Sequence, residues 1–274
     1  MRIALIIKDL RHCGAQRVMA RLSFILRDAG HEVYMVLFTG QEIDYDYFGE
    51  LIILNSSIKK GLLGKIKTTF QRTSDLRRIK KTYKIDAAIS FLDTPNIANL
   101  LTKGKEKVFV SVRNFKSIED KGIFGILNKV MIRILYPRAD KVIVVSKAIL
   151  VDMSTNYNVP MNKMTVVYNP YDVEQIFIQS NDEFPKKYQE FYNNHRVIVT
   201  VGRLFYQKGY WNLIKAFAHL KIECPDARLV IIGDGDQDNE LKKLATDLSV
   251  EKDILFAGYQ KNPFTFIKNA DVYV

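Results

Sequence analysis

Residues 197–209 read Val-Ile-Val-Thr-Val-Gly-Arg-Leu-Phe-Tyr-Gln-Lys-Gly. Val197 to Val201 is a short, β-branched, apolar run, the composition of a strand buried on both faces. Gly202 ends it. From Tyr210 to Leu220 the apolar residues Leu213, Ile214, Phe217 and Leu220 fall at helical spacing. The unit is a strand, a glycine turn and a helix, with Arg203 and Lys208 in or beside the connection. Such a connection is an anion site, because a helix start offers unpaired N–H groups and a partial positive charge, and glycines let a phosphate approach the backbone. Arg203 can supply a bidentate fork and Lys208 a mobile point charge. Taken alone, an Arg and a Lys near a turn are equally ordinary surface residues. The rest of the chain decides between the two readings.

Working outward, strand and helix patterns alternate. Ile3 to Ile7 is a strand; Cys13-Gly14-Ala15 follows, then Val18, Met19, Leu22, Ile25 and Leu26 at helical spacing, then a strand at Val33 to Phe38. Two strands joined by a helix in this way are parallel. Ile52 to Leu54, Ala87 to Leu92 and Val108 to Val112 continue as strands, the last ending in Arg113-Asn114, with a helix at Asn96 to Leu101. A helix over Gly125 to Tyr136 is stopped by Pro137, and Ala139 to Ser146 is a strand with Lys147 opening the next helix. Asn181 to Asn194 is polar and has the composition of a linker. Beyond it come strands at Arg228 to Ile232, Ile254 to Tyr259 and Ile267 to Val274, with a helix at Leu241 to Leu248. Gly233-Asp234-Gly235 reads as a tight turn and not a dinucleotide fingerprint, since Asp238 holds the third glycine position. The alternation predicts an α/β protein of two doubly wound domains: residues 1–170, a linker over 171–195, and 196–274.

Several of these stretches carry a resemblance. Gly202-Arg203-Leu204 with Gln207-Lys208-Gly209 resembles the GR-L-x-x-x-KG signature of family 4 glycosyltransferases; Ala139 to Ser146 resembles their ADxVIxVS strand, Lys163 to Asp172 the ending of their first domain, and Ile267 to Val274 a later strand. Asp9 to Arg17, DLRHCGAQR, resembles their glycine loop, with Cys13 in place of the first glycine and Gln16 in place of the usual acid. The resemblance implies the GT-B fold, two Rossmann-like domains facing a cleft, the second incomplete. It implies that Arg203 and Lys208 hold the diphosphate of a nucleotide sugar, UDP-linked above others, that the Gly14 loop faces that diphosphate, and that backbone at Gly258-Tyr259-Gln260 receives the base. Arg113 and Asn114 stand where relatives often carry a histidine near the reacting sugar, and are the candidates for the sugar or acceptor side. The implied reaction is a retaining, metal-independent transfer to a glycan or lipid-linked acceptor in surface polysaccharide synthesis, with no cofactor. The acidic EGFP…E segment of relatives does not follow Val274, so the resemblance implies a chain shortened at its C-terminus. A second reading is therefore an inactive fragment that binds a nucleotide diphosphate and turns nothing over.

Composition sets the outer bounds. At 274 residues and 47% hydrophobic content the chain can bury one large core or two modest ones. No run approaches the roughly 20 apolar residues of a membrane span, and Asp9, Arg11 and His12 break the first apolar run too early for a signal peptide. Cys13 and Cys224 have no metal-type spacing and read as free thiols of a reducing cytoplasm. The net charge of +11 fits nucleic acid, an anionic membrane face or anionic small substrates. Its densest source is Lys59 to Lys81, where one acid, Asp75, stands among interleaved lysines, arginines and apolar residues. That pattern fits a helix on an anionic bilayer, at the inner face of the plasma membrane, or a solvated helix with its apolar stripe in the core. Nucleic acid is set aside, because the run lacks stacking aromatics and recognisable motifs.

Overall fold

The computed structural model describes residues 1–11, 13–40, 43–54, 62–120 and 122–274, without the side chains of 62, 63, 65, 66 and 124. His12, Lys59 and Lys60 lie outside the described residues, as do the side chains of Leu62, Leu63, Lys65 and Ile66. The chain divides into two compact units, Met1–Pro170 and Tyr171–Val274.

The first unit comprises β1 (Arg2–Ile7), α1 (Gly14–Asp28), β2 (Glu32–Leu37), β3 (Glu50–Ile53), α2 (Leu62–Thr82), β4 (Ala87–Phe91), α3 (Asp93–Leu101), β5 (Lys107–Val112), α4 (Lys116–Glu119), α5 (Gly122–Leu135), β6 (Lys141–Val144), α6 (Lys147–Tyr157) and β7 (Met164–Val166). Its sheet has seven parallel strands in the order β3-β2-β1-β4-β5-β6-β7. Because side chains alternate across a strand, Ile3, Leu5 and Ile7 pack with Met19 and Ala20 of α1, while Ala4 and Ile6 pack with Leu76 and Ile79 of α2. Val108, Val110 and Val112 of β5 pack with Ile132 and Leu135 of α5 and Ile149 and Met153 of α6. Helix α3 starts at Asp93, ahead of the expected Asn96, since Pro95 is tolerated in a first turn. Pro137 ends α5 at Leu135 and sits in a 3₁₀ turn over Tyr136–Arg138.

The basic stretch folds as α2, and part of its charge points inward. Arg72 is buried with its guanidinium 4.9 Å from the Phe38 ring. The Lys80 ammonium is buried 2.7 Å from Glu106. Burial drives the Lys80 pKa down to about 8 against the upward pull of Glu106.

The second unit comprises α7 (Val173–Ser180), α8 (Gln189–Tyr192), β8 (Arg196–Val201), α9 (Tyr210–Glu223), β9 (Ala227–Ile232), α10 (Asp238–Asp247), β10 (Ile254–Gly258), α11 (Phe264–Lys268) and β11 (Val272–Tyr273). Its four parallel strands run in the order β10-β9-β8-β11. Leu229 and Ile231 face Ile214 and Phe217 of α9 and Leu241 and Ala245 of α10. The opposite face is covered in part by the segment that precedes β8. Val197, Val199, Val230 and Ile232 are covered by Tyr188, Tyr192 and Phe266, with Phe184 packed alongside. A parallel sheet must be covered on both faces, and this segment supplies half of one cover. Phe184 meets Tyr192 and Phe266 edge-on at 4.7 and 5.1 Å between ring centres. The final strand is shorter than expected, because Phe264–Lys268 folds as a helix first.

Candidate functional site

In an open parallel sheet, ligands sit beyond the carboxyl ends of the strands. In the second unit those ends are three loops tied to one another. Gly202 N–H donates to the Ile232 carbonyl (2.9 Å), Leu204 N–H to the Asp234 carbonyl (2.9 Å), and Gln237 N–H to the Leu204 carbonyl (3.1 Å). The next loop is joined by Gly233 N–H to the Gly258 carbonyl (2.9 Å) and by Tyr259 N–H to Asp234 Oδ1 (3.0 Å).

Gly233 and Gly235 earn their place through this contact. A Cβ on Gly233 would lie 2.0 Å from the Gly202 carbonyl oxygen, and one on Gly235 would lie 2.2 Å from the Leu204 carbonyl oxygen. The pair read from sequence as a tight turn is therefore what lets the Arg203 loop lie flat against its neighbour. Tyr210 packs from below; burial raises the pKa of its hydroxyl and keeps it protonated.

Arg203 and Lys208 both project from this platform as exposed side chains, and the Arg203 guanidinium lies 4.0 Å from the Phe205 ring. Tyr206–Lys208 is a 3₁₀ turn, and Gly209 takes a left-handed conformation (φ 69°) that starts α9. No side chain caps α9 and no acid stands in its first turn, whereas α10 carries Asp238 and Glu240 there. The start of α9 thus keeps its partial positive charge available to an anion. Gly258 and Tyr259 border the same platform, Tyr259 exposed. Gln260 is turned inward, donating to the Ala257 carbonyl (2.6 Å) and the Tyr188 hydroxyl (3.2 Å). Its side chain holds the loop to Tyr188 in the segment before β8.

In the first unit, strand order reverses between β1 and β4, the position where such sheets open a crevice. Gly14 begins α1 there, exposed, and a Cβ on it would meet nothing within 4 Å. No packing within the described chain requires glycine at that position. Helix α1, like α9, has no side-chain cap and no acid in its first turn. The loop before it is pinned by Asp9, which is buried and accepts from Gln16 Nε2 (2.9 Å) and Arg11 (3.2 Å). Gln16, a departure from the GGAER pattern, is thereby explained: an amide can donate to Asp9, and a carboxylate cannot.

Arg113 and Asn114 lie beyond β5 and are both engaged. Arg113 donates to Asn169 and to Ser111 Oγ (3.4 Å), with its guanidinium 4.3 Å from the Phe91 ring. Asn114 donates to Glu119 (2.7 Å). The more buried charge beside them escaped sequence reading. Lys116, its side chain 8% exposed, sits 2.8 Å from both Asp93 and Glu119. Burial works against its charge, yet the two carboxylates carry its pKa above the ordinary lysine value. Leu92, in the turn ahead of Asp93, has a positive φ of 73°. Among the described residues, no group of three or more His, Cys, Asp and Glu is placed to hold a metal ion, and no helix is long and apolar enough to cross a membrane.

The description "Glycosyltransferase Family 4" matches residues 13–175, and "Glycosyl transferases group 1" matches residues 181–274. The chain belongs to glycosyltransferase family 4. It is 28% identical over 243 residues to an uncharacterized glycosyltransferase of Methanocaldococcus jannaschii, covering 85% of this chain and 59% of that protein. It is 27% identical over 283 residues to a Campylobacter jejuni N-acetylgalactosamine-N,N'-diacetylbacillosaminyl-diphospho-undecaprenol 4-alpha-N-acetylgalactosaminyltransferase, covering 99% of this chain and 73% of the relative. Among solved structures, Anabaena HepE in complex with UDP superposes with a TM-score of 0.75 at 18% identity, over 100% of this chain and 73% of that one. WaaG, a glycosyltransferase involved in lipopolysaccharide biosynthesis, superposes with a TM-score of 0.68 at 16% identity, over 99% and 74%. The fold is that of the GT-B glycosyltransferases.

Proposed function

We propose that the chain acts in moving a sugar from a UDP-linked donor to a lipid-linked glycan acceptor, in the cytoplasm at the membrane face. The carrying observation is the cationic platform of the second unit: exposed Arg203 and Lys208 beside the uncapped, acid-free start of α9. Charge that grows on a departing diphosphate is stabilised by donors already in place, without reorganisation during reaction. Arg203 supplies a fork to two phosphate oxygens and Lys208 a point charge, which together do the work a divalent ion does elsewhere. Backbone at Gly258 and Tyr259 is proposed to receive the base. Gly14, open to close approach, is the first unit's proposed donor contact. Arg113 and Asn114 are proposed for the sugar or acceptor side, Arg113 fixed by Asn169. The relatives' names support a diphospho-undecaprenol acceptor, and HepE supports a uridine donor. Retention at the anomeric carbon follows the family resemblance.

Calorimetric titration with UDP and GDP tests the reading. UDP should bind the wild-type chain, and Lys208→Ala should weaken it at least tenfold, the loss of one charge-assisted contact of about 1.5–3 kcal/mol. Unchanged affinity in Lys208→Ala would remove the donor assignment.

A further inference from the structure

Helix α5 is apolar on both sides. Its sequence, GIFGILNKVMIRIL, contains Lys129 and Arg133 and no acid. Ile132 and Leu135 are buried in the core against β5 and β6. On the other side Ile123, Ile126, Leu127, Val130 and Ile134 are 69, 61, 54, 47 and 60% exposed. At about 100° of turn per residue, these five occupy an arc of about 100° facing away from Ile132. Lys129 and Arg133 flank the arc along one edge, and both are exposed.

The helix is also firmly placed. Asn128 donates to Asp120 (2.8 Å), whose other oxygen accepts from the Tyr157 hydroxyl (2.7 Å). Asp152 accepts from the N–H groups of Lys116 (3.0 Å) and Ser117 (3.2 Å) in the short helix just before it. The helix that carries the outward stripe is therefore tied to its surroundings through part-buried contacts at Asp120. A contiguous aliphatic face of this size on a soluble surface marks an interaction site.

We propose that the outer face of α5 is a membrane-docking surface, its aliphatic residues entering the acyl boundary of an anionic bilayer with Lys129 and Arg133 at the headgroups. An aliphatic arc edged by cations and lacking acids fits that occupant. The inference rests on the lipid-linked acceptor reading above, which places the enzyme's substrate in a bilayer. It assigns contact to a different element from the basic helix α2, whose Leu76 and Ile79 are spent on the core.

Sedimentation of the chain with phosphatidylglycerol–phosphatidylethanolamine vesicles, against phosphatidylcholine vesicles, tests it. The wild type should pellet with the anionic vesicles. Ile126→Gln with Val130→Gln should lower partitioning by about tenfold or more. Lys129→Gln with Arg133→Gln should lower it about fivefold per charge, and Lys67→Gln with Lys81→Gln on α2 should leave it near wild type. Melting temperature and UDP titration of each variant show that fold and donor site are intact. A wild type that stays in the supernatant overturns the proposal, as do α5 variants that bind like wild type. A wild-type dimer that Ile126→Gln with Val130→Gln renders monomeric overturns it in favour of a second copy of the chain. Failed vesicle binding with UDP binding intact counts against this surface alone; failed UDP binding by the wild type counts against the functional reading.

Discussion

Replacing Gly233 by alanine tests whether the Arg203 loop is shaped by its neighbour. The added Cβ would stand 2.0 Å from the Gly202 carbonyl oxygen, a backbone atom that cannot swing aside. The residue would also keep a φ of 134°, a region reached almost only by glycine. Overpacking of this kind costs about 1–3 kcal/mol and the backbone conformation about 1–3 kcal/mol more, giving roughly 2–6 kcal/mol in all. For a unit of about 100 residues each kcal/mol lowers the melting temperature by roughly 4–8 °C, so a drop on the order of 10 °C or more is expected. Relief comes only by parting the loops after β8 and β9, which moves Arg203. A displacement near 1 Å can cost about a hundredfold where geometry matters, so UDP affinity should fall with stability. Thermal unfolding by circular dichroism and UDP titration of the same variant read both effects. A Gly233→Ala chain that melts within about 2 °C of wild type and binds UDP equally would refute the reasoning.

Gly14→Ala has the opposite signature, since nothing lies within 4 Å of its Cβ: melting should be unchanged within about 0.5 kcal/mol, while donor affinity falls. Gln16→Glu would set a carboxylate against buried Asp9, removing a donor from it; a loss of about 1–3 kcal/mol in urea unfolding is expected. Asp140 accepts from Val108 N–H and lies 2.8 Å from Lys103. Burial raises its pKa, and the contacts with Lys103, Val108 and Lys107 outweigh this and bring it down to about 2. A carboxyl depressed below its usual value near 3.9 stabilises the fold fully above that pH and ceases to as pH falls through about 2. The melting difference between wild type and Asp140→Asn should therefore be full at pH 7 and close between pH 4 and pH 2; a constant difference would contradict this.

The platform was readable because its signals are local. Strand, glycine, Arg203, Lys208 and helix start occupy adjacent positions, so chain order fixes their neighbourhood. The role of Gly233 and Gly235 was not, since it depends on two strands lying side by side. The packing of the segment before β8 was hard to read because it is polar on average, although Phe184, Tyr188 and Tyr192 recur at intervals of four. That helical spacing of aromatics was the available signal for a covering layer. Lys116 with Asp93, and Lys80 with Glu106, join residues distant in sequence that meet only through sheet pairing. In α5 the difficulty was different: a helix apolar on two opposite sides does not declare which of them the core will take.

The central claim is that the donor diphosphate rests on the platform at the ends of β8, β9 and β10. A crystal structure of the chain soaked with UDP tests it most directly. The expected result is density for the diphosphate within hydrogen-bonding distance of Arg203 and Lys208 and over the start of α9, with uracil beside Gly258 and Tyr259. Ordered UDP elsewhere on the chain, or an empty platform at saturating nucleotide, would contradict the account.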